Sequence, residues 1–209
     1  DKKLGFVPTM GGIHLGHLSL IKKSINECNK TIVTIFVNKQ QFNRKSDYEN
    51  YPRTINNDIY LLKKIKVNYL YLPKSKEIYP KGFNKKIKIS SFSKKLCGKN
   101  RPGHFESVAD VLDRFIKIIS PKKIYFGQKD MQQLKIMEHY IKKKFKKIKV
   151  IGCKTVRENG GLALSSRNFK LSYNDKKVAS KIYKYLINNK KKLIKNINYL
   201  KKVKKNILN

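Results

Sequence analysis

Residues Leu4 to Ile25 set the strongest limit on the fold. A short apolar run, Leu4 to Val7, leads into Pro8-Thr9-Met10-Gly11-Gly12-Ile13-His14-Leu15-Gly16-His17, which opens into an apolar-periodic segment carrying Leu18, Leu20, Ile21 and Ile25. The pattern predicts a strand, a glycine-rich turn and a helix start. Glycines let a backbone approach a ligand closely, and a helix N-terminus presents unpaired N–H groups and a partial positive charge to a phosphate. His14 and His17 add donors at the same place. No Gly-Lys-Ser/Thr follows, and the three spaced glycines of a dinucleotide fingerprint are absent. A phosphate bound here falls to the histidines.

The same alternation continues along the chain. Apolar and β-branched runs at Leu4 to Val7, Thr31 to Val37, Tyr69 to Leu72, Lys123 to Phe126 and Ile148 to Cys153 predict strands. Between them, helices are predicted near His17 to Asn29, Asn56 to Ile65, Phe105 to Ile119 and Met131 to Lys144, with two more near Asp175 to Asn188 and Leu200 to Leu208. In the third, Val108, Val111, Leu112, Phe115, Ile118 and Ile119 make one apolar stripe. Strand and helix in turn imply an α/β fold, a parallel sheet covered on both faces whose ligands sit at the carboxyl ends of the strands. The stretch from Phe83 to Gly98 breaks the alternation, and Lys85 to Ser91 reads as an extra strand or small flap.

Composition narrows the function class. The formal net charge of +37 would ordinarily suggest nucleic acid or an acidic membrane surface. The excess, however, is almost all lysine, while Asn and Ile are abundant and Ala occurs only at 109, 163 and 179. Lys, Asn and Ile share A/T-rich codons, so genomic drift accounts for the charge without a polyanionic partner. Runs such as Lys142 to Lys144 and Lys190 to Lys192 then read as solvated faces. Neither nucleic acid nor membrane is expected as a partner, and no run of ~18 uncharged apolar residues predicts a membrane span. Cys28, Cys97 and Cys153 form no metal or disulfide pattern and read as small buried apolar residues of a cytoplasmic protein. The chain starts Asp1-Lys2-Lys3, neither a methionine nor a signal peptide, and is expected to lack its native beginning.

Every other informative motif falls just after a predicted strand or before a helix. They are Phe36-Val37-Asn38-Lys39-Gln40-Gln41-Phe42, Tyr51-Pro52-Arg53-Thr54, Arg101-Pro102-Gly103-His104-Phe105, Gly127-Gln128-Lys129-Asp130-Met131-Gln132-Gln133 and Leu164-Ser165-Ser166-Arg167-Asn168. Singly each has a plain reading: a surface ion pair for Lys129-Asp130, a turn for Ser165-Ser166, a cap for His104. Their collection at one edge of one sheet points instead to a site.

The His-x-Gly-His turn resembles the signature of adenylyl-transferring enzymes related to class I aminoacyl-tRNA synthetases. With the other motifs in order, the chain resembles the pantothenate synthetase (pantoate–β-alanine ligase) family over nearly its whole length. That family shows Thr-Met-Gly-x-x-His-x-Gly-His, Phe-Val-Asn-Pro-x-Gln-Phe, Tyr-Pro-Arg-Thr, Arg-Pro-x-His-Phe, Gly-Glu-Lys-Asp-x-Gln-Gln and Ser-Ser-Arg-Asn. The resemblance implies a Rossmann-like ATP and pantoate domain over residues 1–168 and the start of a smaller α+β domain over 169–209. It implies ATP-dependent condensation of pantoate with β-alanine through a pantoyl adenylate, with magnesium accompanying ATP, in a homodimer.

Residue roles follow from the same resemblance. His17, His14 and Lys129 would be catalytic. Met10, Gly11, His14, His17, Gly127, Lys129, Asp130, Val156, Leu164, Ser165, Ser166 and Arg167 would line the ATP site, Val156 through its backbone. Gln41 and Gln133 would bind pantoate, since an amide both donates to and accepts from carboxylates and hydroxyls. The chain departs from the family at Lys39 (proline), Gln128 (glutamate) and Ser107 (glycine), and Asn56-Asn57-Asp58 replaces a run of aspartates, leaving a metal role there open. The family's C-terminal domain extends further than the residues after Asn168, so a fragment or a shortened protein is expected. The alternative to the ligase is a truncated or decayed ATP-binding remnant without turnover.

Overall fold

The computed structural model describes residues 3–83, 87–196 and 198–208. They form two compact units, Asp1–Thr155 and Val156–Asn209. In the first, five parallel strands, β1 (Leu4–Thr9), β2 (Lys30–Ile35), β3 (Tyr69–Tyr71), β4 (Lys123–Gly127) and β5 (Lys149–Cys153), lie in the order β3-β2-β1-β4-β5. The helices between them are α1 (Leu15–Glu27), the short α2 (Lys45–Glu49), α3 (Ile55–Lys64), the short α4 (Ser75–Ile78), α5 (His104–Ile119) and α6 (Met131–Lys144).

Side-chain alternation in the strands builds a core on each face of this Rossmann-like sheet. Phe6, Ile124 and Phe126 point to a cluster with Val108, Leu112, Phe115 and Ile116 of α5 and Leu134, Met137 and Ile141 of α6. Their neighbours Val7, Val33 and Tyr125 point the other way, onto Ile21 of α1 and Leu62 of α3. Helix α1 packs closely because Gly5 has no side chain; a Cβ there would come within 2.1 Å of Ser24 Oγ. The chain winds outward from β1 through β2 to β3, then returns beside β1 with β4 and continues to β5. The reversal opens a crevice beyond the carboxyl ends of β1 and β4, where doubly wound sheets bind ligands.

Several expectations need correction. Of the strand or flap expected over Lys85 to Ser91, residues 85 and 86 lie outside the described residues; Ile87 to Ser90 is irregular and Ser91–Lys94 is a 3-10 turn. The apolar stripe of α5 is centred nearer Ile116, which is buried, so Ile118 at the stripe's edge is 53% exposed. Cys97 is exposed, and its thiol donates to Gln132 Oε1 at 2.6 Å, while Cys28 is half-buried with its sulfur 3.3 Å from Tyr125 Oη. Among the lysines of the α6 end, Lys144 is no mere solvated charge: its ammonium lies 2.6 Å from the buried Asp113 carboxylate and clamps α6 to α5.

In the second unit, the segment from Val156 closes on itself before α7 (Tyr173–Lys195) and α8 (Tyr199–Leu208). Arg157 and Ala163 form an antiparallel bridge, Leu164 N–H donates to Val156 C=O, and the Arg157 guanidinium stacks 3.6 Å from the Tyr183 ring centroid. These ties to α7 place residues 156–168 in the second unit, ahead of the boundary expected after Asn168.

Candidate active site

The turn after β1 is shaped from below. Thr9 Oγ1 donates to Thr34 C=O at 2.7 Å and accepts from Gly11 N–H at 3.2 Å. Gly11 and Gly12 have φ of 81° and 62°, in the left-handed region that favours glycine. A Cβ at Gly11 would also lie 2.9 Å from Asp58 Oδ2 and 3.0 Å from Ile35 Cγ2. Asp58, on α3 and only 1% exposed, accepts from Gly12 N–H at 2.9 Å, Ile13 N–H at 2.8 Å and Thr54 Oγ1 at 3.0 Å. This aspartate, open to a metal role on sequence, has both oxygens committed to holding the turn.

The two histidines complete the turn by capping their own helix. His14 is the N-cap of α1, and its Nδ1 accepts from Gly16 N–H at 3.1 Å; His17 Nδ1 accepts from His14 N–H at 3.4 Å. An imidazole nitrogen that accepts a hydrogen bond carries no proton, so each neutral ring keeps its proton on Nε2. The rings lie 4.1 Å apart, centroid to centroid, tilted by 34°. The N–H groups of Gly11, Gly12, Ile13, His14 and Gly16 all donate within the protein, and the imidazole Nε2–H groups take over the donor role.

Electrostatics keeps both rings neutral. Burial and the neighbouring Lys129 ammonium lower the His14 pKa. Burial, then His14, then Lys129 push His17 down to about 3. The field of Lys129 thus reaches both histidines, across the crevice from the end of β4. Its ammonium lies 3.2 Å from Asp130 Oδ1. Gln128, which replaces the family's glutamate, packs over Gly152 of β5: a Cβ on that glycine would lie 3.7 Å from Gln128 Cγ.

The loop after β2 supplies the amide. Asn38, 1% exposed, accepts from Gln40 N–H at 3.3 Å and from Tyr79 Oη at 2.9 Å, and donates to Gln41 Oε1 at 3.3 Å and Ser107 C=O at 3.4 Å. Gln41 Nε2 then lies 2.9 Å from Met10 Sδ in the histidine turn. The cap expected of His104 is corrected: Gly103 is the N-cap of α5, and buried His104 instead sets its Nδ1 2.9 Å from Gln41 C=O. Lys39, where the family has proline, sets its ammonium 5.9 Å from the Tyr48 ring centroid. Ser107, in place of a glycine, satisfies its hydroxyl on Gly103 C=O at 2.8 Å.

The Gln132-Gln133 pair divides its duties. Gln132 is buried and donates to Phe92 and Lys95 carbonyls while accepting from Cys97 N–H, which fastens residues 92–97 to α6. Gln133 is half-buried in the first turn of the same helix. The structure thus gathers Met10, Gly11, His14, His17, Gln41 and Lys129 at the ends of β1, β2 and β4. The remaining candidates, Val156, Leu164, Ser165, Ser166 and Arg167, belong to the second unit, where Ser165 Oγ accepts from Arg167 N–H at 3.2 Å. Sequence reasoning missed Tyr79, the turn-holding role of Asp58 and the loop-fastening role of His104; only Asp58, four residues after Thr54, carried a visible helix-spacing signal.

Comparison with known proteins fits this geometry. The whole chain, residues 1–209, matches the sequence profile of the Pantoate-beta-alanine ligase family. Pantothenate synthetase of Sulfurihydrogenibium sp. (strain YO3AOP1) is 46% identical over 88% of this chain and 66% of its own length. That of Pseudothermotoga lettingae is 44% identical over 86% of this chain and 64% of its own. The chain thus spans less than two thirds of the length of these curated relatives. Among solved structures, the pantoate-beta-alanine ligase of Francisella tularensis, complexed with beta-gamma ATP and beta-alanine, superposes with a TM-score of 0.83 at 43% identity, covering 88% of this chain and 70% of that one. The Thermus thermophilus enzyme gives 0.85 at 40% identity, covering 89% and 68%. A histidine-capped turn at the switch point of a 3-2-1-4-5 sheet, matched along its whole length by one profile, places this chain in the pantoate–β-alanine ligase family.

Proposed function

We propose that this chain carries the ATP and pantoate site of an AMP-forming pantoate–β-alanine ligase. The observation that carries the reading is the pair of neutral imidazoles, Nδ1 engaged by backbone and Nε2–H left as donor, beside Lys129 and within one turn of the Gln41 amide. In the first step, a pantoate carboxylate oxygen attacks the α-phosphorus of ATP; a P–O bond forms and the bond to pyrophosphate breaks. In the second, the β-alanine amine attacks the acyl carbon, the C–O bond to AMP breaks, and the amine loses its proton.

The chain's own residues position and neutralise rather than react. His14 and His17 donate Nε2–H to phosphate oxygens as charge builds on them. Lys129 offsets triphosphate charge, with Asp130 orienting its ammonium. Met10, Gly11 and Gly127 line the nucleotide, and Gln41 and Gln133 hold pantoate. Val156, Leu164, Ser165, Ser166 and Arg167 take their ATP roles from the family motif. Magnesium would enter with the triphosphate, held through phosphate oxygens and water. The same reading implies a cytoplasmic homodimer; among the described residues no helix is long and apolar enough to cross a membrane.

The test is AMP and pyrophosphate release from ATP and magnesium with pantoate, with and without β-alanine. Amide formation that requires both acids supports the ligase, and pyrophosphate alone supports the adenylating half. Release of neither product refutes the reading in favour of a remnant.

A further inference from the structure

We propose that Tyr79 is a positioning residue that fixes the hydrogen-bond polarity of the Gln41 amide through Asn38, turning that amide into an obligate donor toward an acid substrate. The inference rests on Gln41 being the substrate amide, as in the function proposed above. It starts from a chain of contacts that the histidine turn does not share.

Tyr79 caps the short helix α4, and Arg114 on α5 holds it there. The Arg114 guanidinium donates to the Ile78 carbonyl at 2.8 Å and the Gly82 carbonyl at 3.0 Å, pairs with Asp110 at 3.0 Å and lies 4.7 Å from the Tyr79 ring centroid. The Phe36 ring also packs near it, with centroids 6.3 Å apart. So clamped, the phenol reaches Asn38 Oδ1 at 2.9 Å. Burial raises its pKa, so it stays protonated and available as a donor.

Amide oxygen and nitrogen are nearly the same size, so only partners decide which way a buried amide points. At Asn38, Tyr79 Oη–H and Gln40 N–H both donate to one side, which demands the oxygen there, and the Ser107 carbonyl on the other side demands the nitrogen. The nitrogen also meets Gln41 Oε1, so Gln41 must present its Nε2 hydrogens away from Asn38, toward Met10 and the crevice. A carboxylate only accepts, so an amide locked as donor toward the crevice suits it.

Tyr79→Phe removes one oxygen while keeping the ring beside Arg114 and Phe36. Side-chain amide NMR signals of Asn38 and Gln41, assigned by their loss in Asn38→Asp and Gln41→Glu, are compared between the wild type and Tyr79→Phe without any substrate. Calorimetric titration of pantoate and of ATP follows on the same proteins. The expected result is displacement of both amide signals, pantoate binding weaker by about tenfold, and ATP affinity within about twofold of wild type. Asn38→Asp replaces the donor facing Gln41 by an acceptor and should weaken pantoate further, again sparing ATP. Unmoved amide signals, or an equal loss of pantoate and ATP affinity, would overturn the proposal. If wild-type protein binds no pantoate, the ligase reading fails, while the amide signals still decide whether Tyr79 sets the polarity.

Discussion

Replacing Asp58 tests whether the histidine turn is held by the protein or by its ligand. The carboxylate accepts two backbone N–H bonds, from Gly12 at 2.9 Å and Ile13 at 2.8 Å, and one from Thr54 Oγ1 at 3.0 Å, at a position 1% exposed. In Asp58→Ala the Thr54 hydroxyl can turn elsewhere, but two N–H donors lose a charged acceptor at about 1.5–3 kcal/mol each, for a total of about 3–6 kcal/mol. Asp58→Asn keeps one acceptor oxygen and places an NH2 against the other donor, so about half that loss is expected. Urea unfolding measures the stability, and pantoate-dependent ATP–pyrophosphate exchange measures the site. The turn carries His14 and His17, so exchange should fall with stability in the order wild type, Asn, Ala. A loss under about 1 kcal/mol in Asp58→Ala, well below the unsatisfied-donor cost, would refute the anchoring argument. A changed magnesium requirement at unchanged stability would assign Asp58 to the metal instead.

Three further outcomes follow from the same geometry. His17→Ala should lower the adenylation rate by about 10² or more while ATP affinity changes less, because the lost donor acts on charge that develops during attack; near wild-type pyrophosphate release would sink that role. His17 also makes stability pH-dependent: between its ordinary value of 6.5 and about 3, the unfolded chain takes up a proton that the folded chain refuses. Stability should therefore hold above pH 6.5 and fall on acidification by up to about 1.4 kcal/mol per pH unit, and urea midpoints of His17→Gln should lose less between pH 7 and pH 5 than those of wild type. Gly11→Ala, forced to φ of 81° with its Cβ 2.9 Å from Asp58 Oδ2, should cost about 1–3 kcal/mol in urea unfolding.

The elements that periodicity could reach were legible. Met131 to Lys144 was bounded to the residue, and each of the five expected strands formed within two residues of its expected ends. What periodicity could not reach was short or set by long-range contact. Helices α2 and α4 span five and four residues, less than the window over which an apolar face repeats. Ile118 fell outside the core because tertiary packing, not spacing alone, chose the centre of the α5 stripe. Within the site, His14, His17, Gln41 and Lys129 were legible because they stand in motifs at strand ends. The roles of Asp58, Tyr79 and His104 were not, since each acts on a partner at least 41 residues away in sequence: Gly12 and Ile13 for Asp58, Asn38 for Tyr79, Gln41 for His104.

On the proposed function, the way the turn is satisfied accounts for histidine where other phosphate loops use glycine backbone and lysine. A helix N-terminus normally offers its first N–H groups to an anion. Here Asp58 takes the N–H groups of Gly12 and Ile13 in the turn before α1, and the imidazoles take those of the N-cap His14 and of Gly16 in the first helical turn. A second anion laid on the same amides would face the Asp58 carboxylate, so direct backbone binding at that point is electrostatically opposed. Moving the donor outward to Nε2 keeps the phosphate beyond the carboxylate while the backbone bonds hold each ring's tautomer. Burial first, with the Lys129 charge adding to it, lowers the pKa of both rings, so each stays neutral.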